Sequence, residues 1–422
     1  MSIDYWIEKS LILYRSIIFE IMSDLTKEEI SRYSRQLLLP EIGKEGQVKL
    51  KSASVLIVGC GGLGCPCAVH LAASGIGKIG LVDHDKVELS NLHRQFLHTE
   101  SRVGTSKANS IKESLNQLNS DVDYVVYDTK FNKTNAVDII KEYDVIVDAT
   151  DNAPTRYLIN DASVVSGKPL VSGAALRFEG QLTIYHYNKE TPCYRCLFPK
   201  PPVPGTVTNC SDGGVLGVIP GIIGSLQALE VIKIITGLEP SYAGKMLLFD
   251  GLAGSFRTVT IRGRSKDCAV CGDSPSIGHQ LVDYEAFCGT PMCEENKSLK
   301  ILAPEERLTC SEYKESVVDK DVPHLLIDVR PAVQASVFKL NHAYNIPLSK
   351  ITNNDGMNNL KEMIEDKKVN KVYFICRRGN ASQKACRFTK ENLTDIDNIE
   401  FKDIIGGMTS WAKEIDTETP IF

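Results

Sequence analysis

The sequence predicts an α/β protein of two domains, each built around a largely parallel sheet. Short runs of β-branched residues alternate with helical patterns over about residues 26–274, and the same alternation restarts near residue 303. Alternation of this kind is typical of βαβ units, in which helices cover the faces of a parallel sheet. The length of 422 residues is also enough for two or three domains. We therefore predict a large domain over 26–274 and a smaller α/β domain over 303–422.

The individual elements follow from apolar runs and their spacing. Runs rich in Val, Ile and Leu are typical of strands that a parallel sheet buries on both faces. Strands are predicted at residues 54–58, 78–82, 122–126 and 145–148 in the larger domain, and at 324–328 and 371–375 in the smaller one. Helices are predicted after residue 64 up to about 74, over 218–237 as an apolar core helix, and over 383–389.

The remaining segments lack a clear period. Residues 1–25 are predicted to be an N-terminal extension, with apolar residues at helical spacing that favour a short amphipathic helix. Charged residues interrupt this stretch, so the apolar region of a secretory signal is not evident. Residues 275–302 contain Pro275, Gly278, Gly289 and Pro291, which predicts a flexible linker between the two domains.

Composition narrows the functional classes. The formal net charge is −5 and no long basic run occurs, which argues against a dedicated nucleic-acid-binding protein. No uncharged apolar stretch is long enough for a membrane span. Thirteen cysteines without a secretory signal favour metal-binding and catalytic thiols over disulfides. We therefore expect a cytoplasmic protein of the reducing cytosol, with no direct contact with nucleic acid or a membrane.

A glycine-rich turn follows the first predicted strand directly. Gly59, Gly61, Gly62 and Gly64 form the pattern G-x-G-x-x-G between that strand and a helix. Glycines permit a tight turn and let a phosphate approach the helix N-terminus closely. Asp83 ends the next strand, at the distance where an acidic residue contacts ribose hydroxyls. These residues alone favour a nicotinamide dinucleotide and leave an adenine nucleotide as the alternative.

Three charged residues that come later in the chain favour ATP. Arg94 and Lys107 supply cations of the kind that a polyphosphate needs. Asp151 follows a predicted strand, at the sheet edge where ligands bind, and could hold Mg²⁺ together with substrate phosphates. Each charge by itself is typical of a solvated surface, so their order along the chain is the informative feature.

The order of these motifs resembles the ubiquitin-activating and MoeB/ThiF-type adenylyltransferases, whose adenylation domain is Rossmann-like. The runs that carry the resemblance are GCGGLG at 59–64, LVDHD at 81–85, SNLHRQ at 90–95, DATDN at 148–152 and SGAALRFEGQ at 172–181. The resemblance covers residues 26–274. The contacts with ATP or its magnesium that it implies are made by Gly62, Asp83, Ser90, Asn91, Leu92, His93, Arg94, Lys107, Asp151 and Asn152. It also implies a homodimer in which Arg35, on an N-terminal helix, reaches the nucleotide of the partner subunit.

Two C-x₂-C units predict a metal site. They are Cys193 with Cys196, and Cys268 with Cys271. Four thiolates complete a closed tetrahedral shell around Zn²⁺, whereas a catalytic zinc keeps a position for water. We therefore predict one structural zinc ion per chain, and the adenylyltransferase resemblance implies the same four ligands. A redox role is the alternative, but no thioredoxin-like context accompanies either unit.

Two further cysteines are candidate nucleophiles. Cys210 lies among small residues after a proline-rich stretch, which predicts an accessible loop. A loop cysteine alone is usually unreactive, but the resemblance implies that Cys210 forms a thioester or an acyl disulfide with the activated carboxylate. Cys376 lies between a predicted strand and a predicted helix, beside Arg377 and Arg378. Helix N-termini and nearby cations stabilise an anionic thiolate or persulfide.

The surroundings of Cys376 resemble a rhodanese domain over about 303–422. The runs that carry this resemblance are LIDVR at 326–330, CRRGNAS at 376–382 and IGGMTSW at 405–411. Ala381 stands where many sulfurtransferases of this group have an acidic residue. Ser382 stands where a phosphatase of the same fold requires the arginine of C-x₅-R. The resemblance therefore implies a sulfurtransferase and argues against a phosphatase.

The two domains in this order resemble the adenylyltransferases and sulfurtransferases of molybdenum-cofactor synthesis and ubiquitin-related-modifier activation. The resemblance implies ATP-dependent adenylation of the C-terminal glycine of a ubiquitin-like sulfur-carrier protein, followed by persulfide transfer that gives a thiocarboxylate. The implied partners are the ubiquitin-related modifier, the small subunit of molybdopterin synthase and a persulfide donor such as a cysteine desulfurase. The implied uses of the product are 2-thiolation of tRNA wobble uridine and molybdopterin synthesis.

Three alternatives account for less of the sequence. An NAD-dependent oxidoreductase explains the glycine turn but not Lys107, Asp151 or the cysteine pairs. A modifier-activating enzyme for protein conjugation would act through a Cys210 thioester and leave Cys376 an accessory role. A noncatalytic scaffold would only bind the carrier and ATP.

Overall fold

The computed structural model describes residues 24–203, 213–278, 280–292, 299–394, 396 and 398–420. They fall into two compact units, with the division between residues 293 and 294. Each unit has its own sheet, its own buried core and helices between its strands. The predicted α/β class is therefore confirmed.

The first unit is built on an eight-stranded sheet of order β3-β2-β1-β4-β5-β6-β7-β8. Its strands are β1 (Ser54–Val58), β2 (Lys78–Val82), β3 (Asp123–Tyr127), β4 (Val145–Asp148), β5 (Leu170–Leu176), β6 (Glu179–Tyr185), β7 (Lys245–Asp250) and β8 (Ser255–Thr260). Neighbours from β3 to β5 pair in parallel, and those from β5 to β8 pair antiparallel. The antiparallel half departs from the predicted parallel arrangement. Short turns join β5 to β6 and β7 to β8, and such turns can only connect antiparallel strands.

Ten helices accompany this sheet in the described part of the first unit. They are α1 (Lys27–Arg32), α2 (Ser34–Leu37), α3 (Gly43–Ser52), α4 (Gly64–Ser74), α5 (Lys107–Leu118), α6 (Ala136–Ile140), α7 (Ala153–Val165), α8 (Tyr194–Leu197), α9 (Val218–Thr236) and α10 (Tyr284–Cys288). Two single turns of 3₁₀-helix, Leu89–Asn91 and Glu100–Arg102, lie between β2 and α5.

Helix α9 packs across the middle of this sheet. The buried side chain of Gln227 donates hydrogen bonds to the carbonyl oxygens of Asp148 on β4 (2.8 Å) and Val171 on β5 (3.2 Å). A Cβ added at Gly173 would lie 2.6 Å from the Gln227 side chain, so glycine is needed for this approach. Among the described helices, α9 alone is long and apolar enough to cross a membrane. Its contacts with β4 and β5 identify it as the core helix predicted over 218–237.

The structure corrects the predicted linker over 275–302. Tyr284 and Cys288 on α10 are only 1% and 3% exposed and belong to the core of the first unit. The hydroxyl of Tyr284 donates to a carboxylate oxygen of Asp161 at 2.8 Å. The Arg195 guanidinium carbon lies 4.4 Å from the ring centroid of Phe287. The turn residues of this segment suggested a flexible linker, but its aromatic residues have buried partners on the first unit.

The last residues of the predicted linker belong to the second unit. The backbone N–H of Ile301 donates to the side-chain oxygen of Gln383 (3.1 Å), and Leu302 is part of the buried core. The segment left between the two packed ends is 293–298, which lies outside the described residues.

The second unit is built on a five-stranded parallel sheet of order β11-β10-β12-β13-β9. Its strands are β9 (Arg307–Leu308), β10 (Leu325–Asp328), β11 (Ala343–Asn345), β12 (Lys371–Ile375) and β13 (Glu400–Ile404). Its helices are α11 (Cys310–Tyr313), α12 (Ala332–Val337), α13 (Leu348–Ile351), α14 (Asn354–Lys367), α15 (Ala381–Asn392) and α16 (Gly407–Glu414). A 3₁₀ turn covers Pro304–Glu306, and a π-helical turn covers Lys314–Val318.

The predicted elements agree with the structure to within a few residues at their ends. Strands β1, β2, β4 and β12 have the predicted bounds, and β3 and β10 are shifted or shortened by one residue. Helix α15 is longer than its predicted core over 383–389, because it begins immediately after the Cys376 loop.

Candidate functional site

The glycine turn is shaped by contacts that exclude side chains. Gly59 has a φ of 101°, in the left-handed region, and a Cβ there would lie 2.6 Å from the carbonyl oxygen of Ala149. A Cβ on Gly64, where α4 begins, would lie 2.0 Å from the carbonyl oxygen of Gly59. These contacts bring the ends of β1 and β4 to the N-terminus of α4. The N–H groups at such a terminus bind anions such as phosphate.

Arg94 lies beside this turn. A Cβ on Gly62 would be 3.4 Å from Cγ of Arg94. The guanidinium donates to Oδ1 of Asn91 (2.8 Å) and to the carbonyl oxygen of Ser90 (3.3 Å), and one of its nitrogens lies 2.7 Å from Nε2 of His93. Burial and the charge of Arg94 lower the pKa of His93, so the ring is neutral near pH 7. Its Nε2 therefore accepts a hydrogen bond from the Arg94 guanidinium. Residues 90–94, with Leu92 half-buried among them, thus hold one cation at the rim of the turn.

Asp83 and Lys107 lie on the other side of the turn. Asp83 accepts hydrogen bonds from the backbone N–H groups of Cys60 and Asp85, each at 2.8 Å. Burial raises the pKa of Asp83, although the charge of Lys107 opposes the shift. Nζ of Lys107 is 2.8 Å from a carboxylate oxygen of Asp85. Burial lowers the pKa of Lys107, but the charges of Asp83, Asp85 and Asp151 outweigh burial and leave it raised. The ammonium group is therefore held charged among three carboxylates.

Asp151 and Asn152 follow β4 at the same sheet edge. Asp151 is exposed and close enough to Lys107 to affect its ionisation. Asn152 caps α7, and its side-chain oxygen accepts from the backbone N–H of Thr155 at 2.9 Å. That oxygen is therefore occupied locally, and the amide nitrogen is the group left for a ligand. The predicted residues of this site thus converge at the carboxyl ends of β1, β2 and β4, where parallel sheets bind ligands.

The four predicted metal ligands form one cluster. The Sγ–Sγ distances are 3.8 Å from Cys193 to Cys196, 3.5 Å from Cys193 to Cys268 and 3.3 Å from Cys196 to Cys271. All four sulfurs lie within 4.8 Å of one another. Tetrahedral zinc with Zn–S bonds of about 2.3 Å needs sulfurs about 3.8 Å apart. The cluster therefore fits a closed four-sulfur zinc site.

The backbone around this cluster is held by a buried ion pair. Arg195, between the first two cysteines, donates to both carboxylate oxygens of Asp161 at 2.9 Å. Both side chains are almost fully buried, and Tyr284 bonds the same carboxylate. The pair therefore fixes the first C-x₂-C turn against α7 and α10.

Cys376 lies between β12 and α15, where the sequence places it. Its side chain is 3% exposed, and the backbone N–H of Gly379 donates to Sγ at 3.1 Å. The carbonyl oxygen of Cys376 accepts from the N–H of Met408 at 2.9 Å. A Cβ on Gly407 would lie 2.1 Å from that same oxygen. The start of α16 therefore supports the loop from behind, and the N–H of Gly379 is directed at the sulfur, an arrangement that stabilises sulfur anions.

The comparisons with known proteins cover both units. Residues 33–270 match the model of the ThiF family, and residues 309–414 match that of the rhodanese-like domain. The adenylyltransferase and sulfurtransferase MOCS3 of Mus musculus is 50% identical over 94% of this chain and 88% of its own length. The protein of the same name from Xenopus laevis is 51% identical over 94% of this chain and 89% of its own length. The chain belongs to the family of these adenylyltransferases and sulfurtransferases.

Solved structures resemble the chain over a smaller part of its length. E. coli MccB in complex with MccA-N7isoASN has a TM-score of 0.52 and 28% identity, over 60% of this chain and 77% of that chain. The same protein with ATP has a TM-score of 0.50 and 28% identity, over 60% of this chain and 76% of that chain. Family membership and these structures agree with the predicted Rossmann-like class of the first unit.

Sequence reasoning missed Gln95 and His98, which support the glycine turn of this family member. Gln95 is buried beside Gly61, and its side-chain oxygen has no hydrogen-bond partner among the described residues. A buried amide oxygen without a partner is unusual, and a bound ligand or water can supply the missing hydrogen bond. The two ring nitrogens of His98 lie 3.1 Å from the carbonyl oxygen of Cys60 and 2.9 Å from Oγ of Ser110. Gln95 is the last residue of the SNLHRQ run, and for His98 the proximity to that run was the only available signal.

Sequence reasoning also missed a buried ion pair behind Asp151. Nε of Arg156 donates to Asp148 at 2.8 Å, and another nitrogen donates to the carbonyl oxygen of Thr150 at 3.0 Å. Ser172 bonds the same carboxylate at 2.7 Å. The pair fixes the backbone that leads to Asp151. Asp148 reads as part of an apolar strand, so no pattern marked it as a structural carboxylate.

The roles of all the predicted site residues remain predictions, and for two of them the structure also leaves the predicted placement untested. Cys210 lies outside the described residues. Arg35 is exposed on α2, and its guanidinium donates to Oγ of Ser34 at 3.2 Å. Its predicted role concerns the nucleotide of a partner subunit, which a single chain does not test.

Proposed function

We propose that this chain activates the C-terminal glycine of a ubiquitin-like sulfur-carrier protein with ATP and replaces one carboxylate oxygen by sulfur. The observation that carries the proposal is that one chain holds both a phosphate-type glycine turn and a buried thiol in a separate strand–loop–helix turn. The relatives at about half identity, named for adenylyltransferase and sulfurtransferase activity, support the same assignment.

The first step is proposed at the glycine turn. The terminal carboxylate of the carrier attacks the α-phosphate of ATP, and pyrophosphate leaves with the electron pair of the broken P–O bond. Arg94 and Lys107 offset the charge that develops on the phosphates. The N-terminus of α4 receives phosphate, and Asp83 receives the ribose hydroxyls. Asp151 is the residue we expect to hold Mg²⁺, since carboxylates bind this ion together with substrate phosphates.

The second step is proposed at Cys376. Its thiolate attacks the outer sulfur of a donor persulfide, so a new S–S bond forms and the donor leaves as a thiolate. The resulting persulfide attacks the acyl carbon of the carrier adenylate, and AMP leaves. The N–H of Gly379 and the cations of the loop stabilise the attacking sulfur anion.

Release of the thiocarboxylate needs a second thiol, for which we propose Cys210. This cysteine either accepts the acyl group before the persulfide attacks or attacks the acyl disulfide at the sulfur of Cys376. The latter frees the thiocarboxylate and leaves a disulfide, which an external thiol reductant returns to two thiols. The product would supply sulfur for 2-thiolation of tRNA wobble uridine and for molybdopterin synthesis.

The remaining assignments belong to the same proposal. The donor is a persulfide protein such as a cysteine desulfurase, and the enzyme acts in the cytosol without direct contact with nucleic acid or a membrane. It works as a homodimer, with Arg35 directed to the nucleotide of the partner subunit. One structural Zn²⁺ per chain occupies the four-cysteine cluster and stabilises the first unit.

The deciding experiment is intact mass spectrometry of a glycine-ended carrier after incubation with this protein, Mg-ATP and a persulfide donor. Replacement of oxygen by sulfur adds about 16 Da to the carrier and requires both steps. A carrier of unchanged mass in a reaction that still exchanges pyrophosphate with ATP would instead favour the conjugating enzyme.

The zinc assignment is tested by metal content. Cys268→Ser should reduce bound zinc from about one ion per chain to nearly none and lower the melting temperature of the first unit, since structural zinc contributes folding free energy directly. Cys288→Ser is the matched control, because Cys288 is equally buried but outside the cluster. Zinc retained by Cys268→Ser, or lost equally by both variants, would contradict the assignment.

A further inference from the structure

A buried ion pair lies directly behind the Cys376 loop. Arg307 on β9 donates to both carboxylate oxygens of Asp403 on β13, at 2.7 and 3.1 Å. Asp403 is fully buried. The two residues face each other where β9 and β13 pair. Neither residue belongs to the loop, and neither strand contains a motif that the function has used.

Both members of this pair reach a group that contacts the sulfur. Asp403 accepts a hydrogen bond from Oγ of Ser382 (3.1 Å), and Ser382 lies 3.4 Å from Sγ of Cys376. Arg307 approaches the carbonyl oxygen of Gly379 (3.4 Å), the residue whose N–H donates to the same sulfur. The ion pair is therefore in contact with Ser382 and with Gly379, two residues that face Sγ.

The hydroxyl of Ser382 has one proton for two acceptors. In the thiol state Cys376 donates to Oγ, and Oγ donates to Asp403. When the sulfur becomes an anion, the hydroxyl can rotate and donate to it. Asp403 is not left unpaired by this rotation, because both of its oxygens still accept from Arg307. A buried carboxylate without that partner would hold the hydroxyl proton, since an unsatisfied buried charge is costly.

We propose that the Arg307–Asp403 pair positions the persulfide site, by fixing Gly379 and by allowing Ser382 to alternate between Asp403 and the sulfur of Cys376. The site can then hold both a thiol and a sulfur anion without an unsatisfied buried group. Ser382 and the ion pair are positioning residues, and Cys376 remains the reacting group. This inference rests on the proposed role of Cys376 as sulfur acceptor.

Other charges also lie near the loop. Arg377 and Arg378 are half-buried in the loop itself. Arg330 pairs with Asp328 at the end of β10, at 2.6 Å. The nearby helices α13 and α16 carry the exposed charges Lys350 and Lys413. The loop arginines add positive potential that favours a sulfur anion, and Ser382 is in contact with Sγ.

The test is the pH profile of Cys376 alkylation by iodoacetamide in the full-length protein, followed on the peptide that contains Cys376. Ser382→Ala removes a donor to the sulfur anion and should move the midpoint of the profile upward by about one pH unit, a tenfold lower anion fraction. Asp403→Asn removes a negative charge behind the hydroxyl and should move the midpoint downward. Ser382→Thr keeps the hydroxyl and should restore the wild-type profile.

Thr389→Val is the matched control. Thr389 is fully buried on the same helix, and its hydroxyl has no hydrogen-bond partner among the described residues. Its profile should coincide with that of the wild type. Equal shifts in Ser382→Ala and Thr389→Val, shifts of one sign in Ser382→Ala and Asp403→Asn, or no rescue by Ser382→Thr would each overturn the proposal.

Two features keep the test decisive. If Asp403→Asn loses the melting transition of the second unit, the three remaining variants still decide through rescue and control. Alkylation also needs no carrier, ATP or sulfur donor. A wild-type protein that makes no thiocarboxylate would defeat the proposed function, while the alkylation profiles would still report on the ion pair.

Discussion

The two units use the same strand–turn–helix arrangement for different chemistry. In each, a buried parallel strand runs into a turn that opens a helix: β1 into 59–64 and α4, and β12 into 376–380 and α15. Four of the six residues of the first turn are glycines, and the side chains of the other two, Cys60 and Leu63, are buried in the core. The cations of this turn, Arg94 and Lys107, come from other segments. The second turn carries its own thiol and its own arginines, with Gly379 N–H 3.1 Å from the sulfur.

The side chains that a turn carries, and not its place in the fold, determine its chemistry. The sheet edge and the helix N-terminus are common to both, so they supply only a favourable potential for anions. A turn that exposes only glycines leaves room for a ligand. A turn with a thiol places its donors around an atom of the chain itself. If this comparison is right, each turn can be inactivated without loss of the other.

The largest effect is expected for Cys376→Ala. Thiocarboxylate formation should fall by about 10³-fold or more because no other group replaces a covalent nucleophile, while carrier-dependent ATP–pyrophosphate exchange stays within about twofold. Cys386→Ala on α15 is the control, because burial raises the pKa of Cys386 to about 12 and keeps it a thiol. Loss of exchange in Cys376→Ala, or residual thiocarboxylate, would break the separation between the two turns.

The reciprocal change is Lys107→Gln. Exchange should fall by about 10²–10³-fold, the usual loss when one group that stabilises developing charge is removed. Sulfur transfer from thiosulfate to cyanide at the second turn should remain unchanged. Lys112→Gln, an exposed position on the same helix, should affect neither assay. Equal exchange rates for the two variants would contradict the role of Lys107.

The packing of the first turn is tested by a pair of glycine substitutions. Gly64→Ala should destabilise the first unit by about 1–3 kcal/mol because its Cβ would overlap the Gly59 carbonyl oxygen. Gly221→Ala on α9 has nothing within 4 Å and should stabilise it by about 0.5–1 kcal/mol. Calorimetry of the full chain gives both values, with the transition of the second unit as internal reference. Opposite signs are the required result.

The smallest effect concerns pH and His98. Burial lowers the pKa of His98 below its ordinary 6.5, with Lys107 and Arg102 acting in the same direction. Because the folded ring binds a proton less readily than the unfolded one, its contribution to stability is present above pH 6.5 and is lost as the pH falls through its folded-state pKa.

His98→Gln should therefore weaken the pH dependence of the first melting transition between about pH 7 and 5, by less than about 1.4 kcal/mol per pH unit. Parallel melting curves of the variant and the wild type across this range would show that His98 does not titrate as described.

The elements that the sequence predicts well are those defined by local pattern. Buried strands read as apolar runs because both faces are covered, and the glycine turn and paired cysteines have fixed spacing. The Arg307–Asp403 pair could not be found, because its members are 96 positions apart and lie on short strands with no pattern of their own. The contact of Tyr284 with Asp161 could not be found for the same reason, since its members are 123 positions apart and the turn residues of 275–302 suggested a linker.

The close packing of Gly407 has a consequence for inherited variation. Its φ is 57°, and any side chain would meet the carbonyl oxygen of Cys376 at 2.1 Å. A missense allele at this codon should disturb the sulfur loop but leave the separate core of the first unit intact. Such an allele would encode a protein that still consumes ATP and releases no sulfurated carrier, so carrying it should differ from carrying a null allele.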